Sequence, residues 1–145
     1  MIVRDDVEAA ADRIGHLVRR TPATSVTWDG PDGSRDVWLK LEHLQHTGSF
    51  KARGALNRVQ CAAERGQIGP AGVVAASGGN AGLAFAYAAR QAGCKARIFV
   101  PATAPPFKVK LELLTRLTAF AAPGASAMSS ARPPALRVPF STTSS

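Results

Sequence analysis

Val73-Val74-Ala75-Ala76-Ser77-Gly78-Gly79-Asn80-Ala81-Gly82-Leu83-Ala84-Phe85-Ala86-Tyr87-Ala88-Ala89-Arg90-Gln91-Ala92-Gly93 is the stretch that decides the fold. Val73 to Ala76 is a short apolar run with two β-branched residues, Ser77 to Asn80 are turn formers, and Ala81 to Gln91 is a nearly all-apolar run of helix formers stopped at Gly93. A second apolar run, Ala96 to Val100, follows, and Pro105-Pro106 opens a helical pattern carrying Leu111, Leu114 and Leu117. Strand, helix, strand, helix at these lengths predicts βαβ units, a parallel sheet and an α/β fold.

Upstream, the spacing predicts a helix from Ser49 to Arg65, with Leu56, Val59 and Ala63 on one face and Gly66 just past its end. Ala23 to Trp28 and Asp36 to Leu41 read as two strands of a hairpin around Gly30-Pro31-Asp32-Gly33. Before them, Asp5 or Asp6 caps a first helix with Val7, Ala10, Ile14 and Val18 at helical spacing, Arg19 and Arg20 near its C-terminal end, and Thr21-Pro22 as its stop. Downstream of Phe120 the character changes. Ala119 to Ser145 holds four of the ten prolines and eight Ser or Thr, so it reads as a disordered tail that supplies no further strand.

The chain has 145 residues, the size of one ordinary domain, with 46% hydrophobic and 19% charged residues. Eighteen Lys and Arg against ten Asp and Glu give a net charge of +8, which raises the question of nucleic acid. The charges are interspersed, without a run of like sign, and the last acid is Glu112, with Arg116, Arg132 and Arg137 beyond it. A solvated mixed-charge surface is expected, with no nucleic-acid partner. Cys61 and Cys94 form neither a disulfide framework nor, with His43 and His46, the spacing of a zinc module, so no metal is expected. Neither a leader nor an apolar run of about eighteen residues is present, so the expectation is a soluble, cytoplasmic chain without a membrane partner. His16 and Tyr87 read as structural, the cysteines as packing thiols, and Asp29, Asp32 and Asp36 as a solvated hairpin.

Two segments carry chemistry. In Glu42-His43-Leu44-Gln45-His46-Thr47-Gly48-Ser49-Phe50-Lys51-Ala52-Arg53-Gly54-Ala55, a strand enters a turn and Lys51 emerges beside an aromatic at a helix start. From there an amine, partly desolvated in a cleft, stays nucleophilic towards an aldehyde. In Ala76-Ser77-Gly78-Gly79-Asn80-Ala81-Gly82, a strand-to-helix turn exposes backbone N–H groups at a helix N-terminus, a place for a carboxylate or phosphate. Its glycines match neither GxGxxG nor the P-loop, and a purely structural turn is an equal alternative.

At this order and spacing, the two segments together resemble the serine/threonine dehydratase family, fold type II pyridoxal-phosphate enzymes with the tryptophan synthase β-like fold. Gly48-Ser49-Phe50-Lys51-Ala52-Arg53-Gly54-Ala55 carries most of the resemblance, supported by Arg20-Thr21-Pro22, by Phe99-Val100-Pro101 and by Lys108 and Lys110. It covers about Asp5 to Leu117. The resemblance implies a parallel-sheet, three-layer fragment of that fold: residues 1–51 in the large cofactor domain, 52–118 a partial small α/β domain, and 119–145 a disordered or out-of-frame tail.

By the same resemblance, Lys51 forms the Schiff base with the cofactor aldehyde and then removes the substrate α-proton. Phe50 packs on the pyridine ring and Asn80 bonds its 3-oxygen. Ser77, Gly78, Gly79 and Ala81 hold the amino-acid carboxylate. Loss of the α-proton and the β-hydroxyl of serine or threonine gives an enamine, which hydrolyses to a 2-oxo acid and ammonia. Gly78 stands where serine racemases of the group carry a serine base, which disfavours racemisation, and Ala81 stands where many members carry histidine. Family members are homo-oligomers of at least twice this length. The remainder supplies the glycine-rich phosphate loop and the group facing the pyridine nitrogen, so activity is expected to be impaired. Threonine synthase and cysteine synthase-like chemistry remain open, as does a catalytically inactive fragment or pseudoenzyme. The strand from Val37 to Leu41 is expected to lack sheet neighbours and to expose an apolar edge.

Overall fold

The computed structural model describes residues 1–77 and 79–100, and the backbone of residues 101, 118–122 and 136–137. In chain order the elements are α1 (Arg4–Ile14), β1 (Ala23–Gly30), β2 (Gly33–Lys40), two single 3-10 turns (Glu42–Leu44 and His46–Gly48), α2 (Lys51–Glu64), β3 (Val73–Ala76), α3 (Asn80–Gln91), β4 (Ala96–Pro101), β5 (Thr118–Ala122) and β6 (Leu136–Arg137). The fold is α/β.

Strands β3 and β4 pair in parallel, Val73 opposite Ala96 through Ala76 opposite Phe99, with α3 as the crossover between them. This is the βαβ unit that the alternation of apolar runs predicts. The full sheet has the order β5-β4-β3-β6 with every pairing parallel. A tight approach fixes the edge of the unit: Val73 N–H donates to Lys95 O at 2.8 Å, and Gly72 beside it has φ +72°. A Cβ on Gly72 would collide with the Lys95 carbonyl, so only glycine fits.

The core forms where α3 is sandwiched between α2 and the sheet. Ala84, Ala88 and Ala89 are fully buried, and such small side chains let the helix lie close to its neighbours. Leu56 and Val59 of α2, Val73 of β3 and Ile98 of β4 are likewise inaccessible and belong to the same cluster. Ile14 reaches this cluster from α1, and Leu17 and Val18 pack against its rim.

Both helix stops read from glycine are met: Gly66 and Gly93 take φ +63° and +66° just after α2 and α3. The hairpin is longer than its apolar runs predict, pairing from Ala23 opposite Lys40 to Gly30 opposite Gly33. Contrary to the expectation that the strand from Val37 lacks sheet neighbours, β2 pairs along its length with β1, and it has no second neighbour among the described residues. Cross-strand register puts Val26, Trp28, Val37 and Leu39 on one face, and Trp28 and Trp38 are 57% and 72% exposed. The expected apolar exposure is thus present, on a face as well as at an edge.

Other boundaries differ from expectation for identifiable reasons. Helix α1 ends at Ile14 rather than near Arg19, because Gly15 follows and the Arg19 backbone is bonded to a side chain from another segment. Its start lies one residue before Asp5, where Asp6 accepts the Val3 N–H at 3.0 Å from the third helical position. Helix α2 starts at Lys51, since Ser49 is extended at φ −159° and ψ 158°. The structure corrects the expectation that the segment after Phe120 adds no strand: Thr118–Ala122 pairs with β4 and Leu136–Arg137 with β3. Both outer edges of the βαβ unit carry free N–H and C=O groups, which such pairing satisfies. The helix expected after Pro106 and the rest of the tail lie outside the described residues.

Leu56→Ala should lower the unfolding free energy by about 2–5 kcal/mol, as for other fully buried leucines. Urea denaturation followed by far-UV circular dichroism would measure it, and a loss below about 1 kcal/mol would mean that Leu56 is not in a packed core.

Candidate functional site

The approach to Lys51 is stitched to the segment after α1 by side chains. Gln45 is 2% exposed. Its Oε1 accepts from Arg19 N–H at 2.9 Å and His46 N–H at 3.0 Å, while its Nε2 donates to Arg19 O at 2.9 Å. Arg53 donates through Nε and Nη2 to the two oxygens of Glu42, at 2.8 Å each, a bidentate fork. Thr21, also buried, donates its hydroxyl to Glu42 at 2.6 Å, and Lys40 Nζ donates to the Thr21 carbonyl.

Lys51 itself stands at the first position of α2 and is exposed. Its amine makes no hydrogen bond or ion pair among the described residues. The partial desolvation expected of it is therefore not met, because none of the described elements covers it. Phe50 beside it is 63% exposed. Just before them Thr47 is held at φ 63°, and Thr47 Oγ1 and Ser49 Oγ are buried without a hydrogen-bond partner among the described residues.

The other segment is the turn from β3 into α3. Ser77 N–H donates to Phe99 O at 2.9 Å, which holds the turn to the end of β4, and Ser77 Oγ accepts from Gly79 N–H at 3.3 Å. Among the described residues no side chain caps α3 at Gly79, at the positive end of the helix dipole. Asn80 is exposed, Ala81 is buried, and a Cβ at Gly79 would meet nothing within 4 Å. Gly78 lies outside the described residues.

The two segments are neighbours through packing. The His46–Gly48 turn rests on α3, where the His46 ring stacks on Tyr87 at 4.7 Å between centroids, and α2 packs along α3. Burial first, and then Arg19 and Arg90, pull the His46 pKa below its ordinary value, so the ring is neutral near pH 7. Tyr87 donates to Leu17 O at 3.4 Å, which fits its expected structural role, whereas His16 is exposed. Lys51 and Asn80 share no hydrogen bond. Sequence reasoning does not single out Glu42, Gln45 and Thr21 as partners; their signal is the crowding of polar residues around Lys51 and the Arg20-Thr21-Pro22 triplet.

Residues 14–125 match the pyridoxal-phosphate dependent enzyme family. The chain belongs to this family. Among its relatives, the putative threonine dehydratase of Sinorhizobium fredii (strain NBRC 101917 / NGR234) is 41% identical over 109 residues, 72% of this chain and 31% of that protein. The L-threo-3-hydroxyaspartate ammonia-lyase of Pseudomonas sp is 45% identical over 105 residues, 72% of this chain and 32% of that protein. The serine racemase of Bos taurus is 40% identical over 109 residues, with 71% and 31% covered. Among solved structures, a pyridoxal 5'-phosphate-dependent aspartate racemase aligns with a TM-score of 0.76 at 38% identity, over 84% of this chain and 38% of that one. The serine racemase of maize aligns with a TM-score of 0.72 at 29% identity, over 84% and 36%. The chain thus spans about a third of the length of the curated relatives it matches.

The cofactor of the family is pyridoxal phosphate, and the residues present suit it. An unengaged amine serves an aldehyde, an exposed aromatic serves a ring face, and the two unpartnered hydroxyls and the uncapped α3 start suit a polar, anionic ligand.

Glu42 gives this framework a pH dependence. The Arg53 fork, against the opposing cost of burial and with help from the Thr21 hydroxyl, lowers its pKa from 4.5 to about 2. A carboxyl whose folded pKa lies below its unfolded value stabilises fully above the unfolded value, and that stability is lost as pH falls through the folded one. Acid titration of the thermal midpoint should therefore show a fall between about pH 4.5 and 2 that Glu42→Gln makes shallower. Identical acid limbs for the two proteins would contradict the ion pair.

Proposed function

We propose that this chain is the lysine-bearing part of a pyridoxal-phosphate-dependent amino-acid lyase that deaminates serine or threonine. The observation that carries this is Lys51, an amine engaged by no partner among the described residues at the start of α2, on a turn that packs against the helix whose uncapped start holds the Asn80 loop. When bound, pyridoxal phosphate supplies an electron-withdrawing ring that makes a substrate α-proton acidic. Lys51 Nζ would hold the cofactor aldehyde and then carry the α-proton. Phe50 would cover one face of the ring and keep water from it. The Asn80 amide would donate to the ring's 3-oxygen. The hydroxyl of Ser77 and the N–H groups of Gly78 and Ala81 would orient the substrate carboxylate, Gly79 would leave room for it by lacking a side chain, and the dipole of α3 would add to the attraction.

One feature favours the lyase over a racemase, since the relatives include both at similar identity, 41% and 45% against 40%. Glycine at position 78, where by family resemblance serine racemases carry a serine, offers no side chain to deliver a proton from the opposite face. The chain's span of about a third of its relatives favours a second reading, a portion that retains the lysine and is catalytically inactive alone.

With pyridoxal phosphate added to the full chain, a visible absorption band should develop that borohydride fixes as a mass increase on the Lys51 peptide. Lys51→Ala should abolish the band. Ammonia and 2-oxo acid released from serine or threonine would establish the lyase; a fixed Lys51 adduct without release would establish the inactive portion. Absence of any Lys51 adduct overturns the cofactor role.

A further inference from the structure

The start of α2 is unusual for a helix of 14 residues. Its N-cap is Phe50, with φ −56° and ψ −20° and no side-chain bond to the first turn, and the first turn contains no acid. Instead it contains two cations, Lys51 and Arg53, at the positive end of the helix dipole, where a cation is destabilising unless it is paired. The initial N–H groups bond back by only three residues, Ala52 to Ser49 O at 3.3 Å and Arg53 to Phe50 O at 3.0 Å. Local chemistry thus does not define where the helix begins.

What defines it is long-range. Arg53 forks Glu42 and also donates through Nη2 to Arg19 O at 3.3 Å, the same carbonyl that Gln45 Nε2 holds at 2.9 Å. Lys51 lies between Gln45 and Arg53, so its backbone is bracketed by two side chains that share one acceptor. Thr47, within the same bracket, keeps a left-handed conformation that a threonine holds only under constraint from both sides. At 100° per residue, Arg53 lies about 200° around the helix from Lys51. The fork therefore engages one side of the turn and leaves the lysine free on the other.

Resting on the cofactor role of Lys51 proposed above, we propose that Arg53 and Glu42 are positioning residues, whose ion pair stands in for the missing cap of α2 and sets where Lys51 presents its amine. Neither residue touches the cofactor; both act through the backbone of the first helical turn. The pairing partner is what makes an arginine tolerable there, so the charge on Glu42 and the two-pronged shape of Arg53 both matter.

The test uses the full chain and the variants Glu42→Gln and Arg53→Lys. Amide hydrogen exchange of Gly48, Ala52 and Arg53, read by NMR, should accelerate about tenfold in Glu42→Gln and by less in Arg53→Lys, which keeps the charge and loses the fork. Amides of β3 and α3 should accelerate less than these three, and by no more than the fall in global stability that loss of the ion pair causes. In parallel, borohydride trapping with pyridoxal phosphate should slow at Lys51 and remain unchanged at Lys95, which lies outside the bracket. Unchanged exchange at the three amides overturns the proposal, and so does acceleration spread evenly over α3 and β3, since that marks a general loss of stability. If the three amides respond but wild-type Lys51 is trapped no faster than Lys95, the bracket stands and the cofactor role fails. If Lys51 is trapped equally in all three proteins with no exchange difference, the cofactor role stands and the positioning role fails.

Discussion

Burying a primary amide is unfavourable by several kcal/mol when its polar atoms go unmet, so the placement of Gln45 is a strong constraint on everything around it. Its oxygen takes two backbone N–H groups and its nitrogen one backbone carbonyl, and two of these three partners belong to Arg19. The side chain thereby acts like a short piece of sheet between the segment leaving α1 and the turn entering α2. It also bears on the early end of α1: a helix continued through Arg19 would engage internally the N–H that Gln45 needs. The Glu42, Thr21 and Arg53 contacts then build on a backbone already fixed in place.

The apolar and polar parts of the molecule divide their tasks. Leu56, Val59, Ala88 and Ile98 hold α2, α3 and the sheet together without specifying where any single loop lies. Directional bonds supply that precision where it is needed, at the two turns that carry Lys51 and Asn80. The Ser77 N–H held by the Phe99 carbonyl does for the second turn what Gln45 does for the first.

The parts legible in the sequence are those governed by local rules. Strand β3, helix α3 and the glycine stops at Gly66 and Gly93 follow from apolar runs, helix formers and positive φ, all contained within a few residues. Lys51 and the Asn80 loop are legible as candidate chemistry through the Gly48–Ala55 segment and the order of the two segments, since a lysine at a helix start or a glycine-rich turn taken alone is often purely structural. The Gln45–Arg19 and Arg53–Glu42 contacts are not, since the partners lie 26 and 11 residues apart and nothing in the spacing pairs them. The strands after Phe120 escape for a similar reason: a short segment without alternation is recruited by an open sheet edge, which is a property of the sheet and not of the segment.

The β1–β2 ribbon has a consequence for how this molecule can be observed. Both tryptophans of the chain, Trp28 and Trp38, sit on it, largely in water and outside the cluster that the helices and the parallel sheet bury. Their fluorescence therefore reports on the surroundings of a surface hairpin. Unfolding of the core would leave the emission nearly unchanged, while any molecule laid over the ribbon would shift it strongly towards the blue.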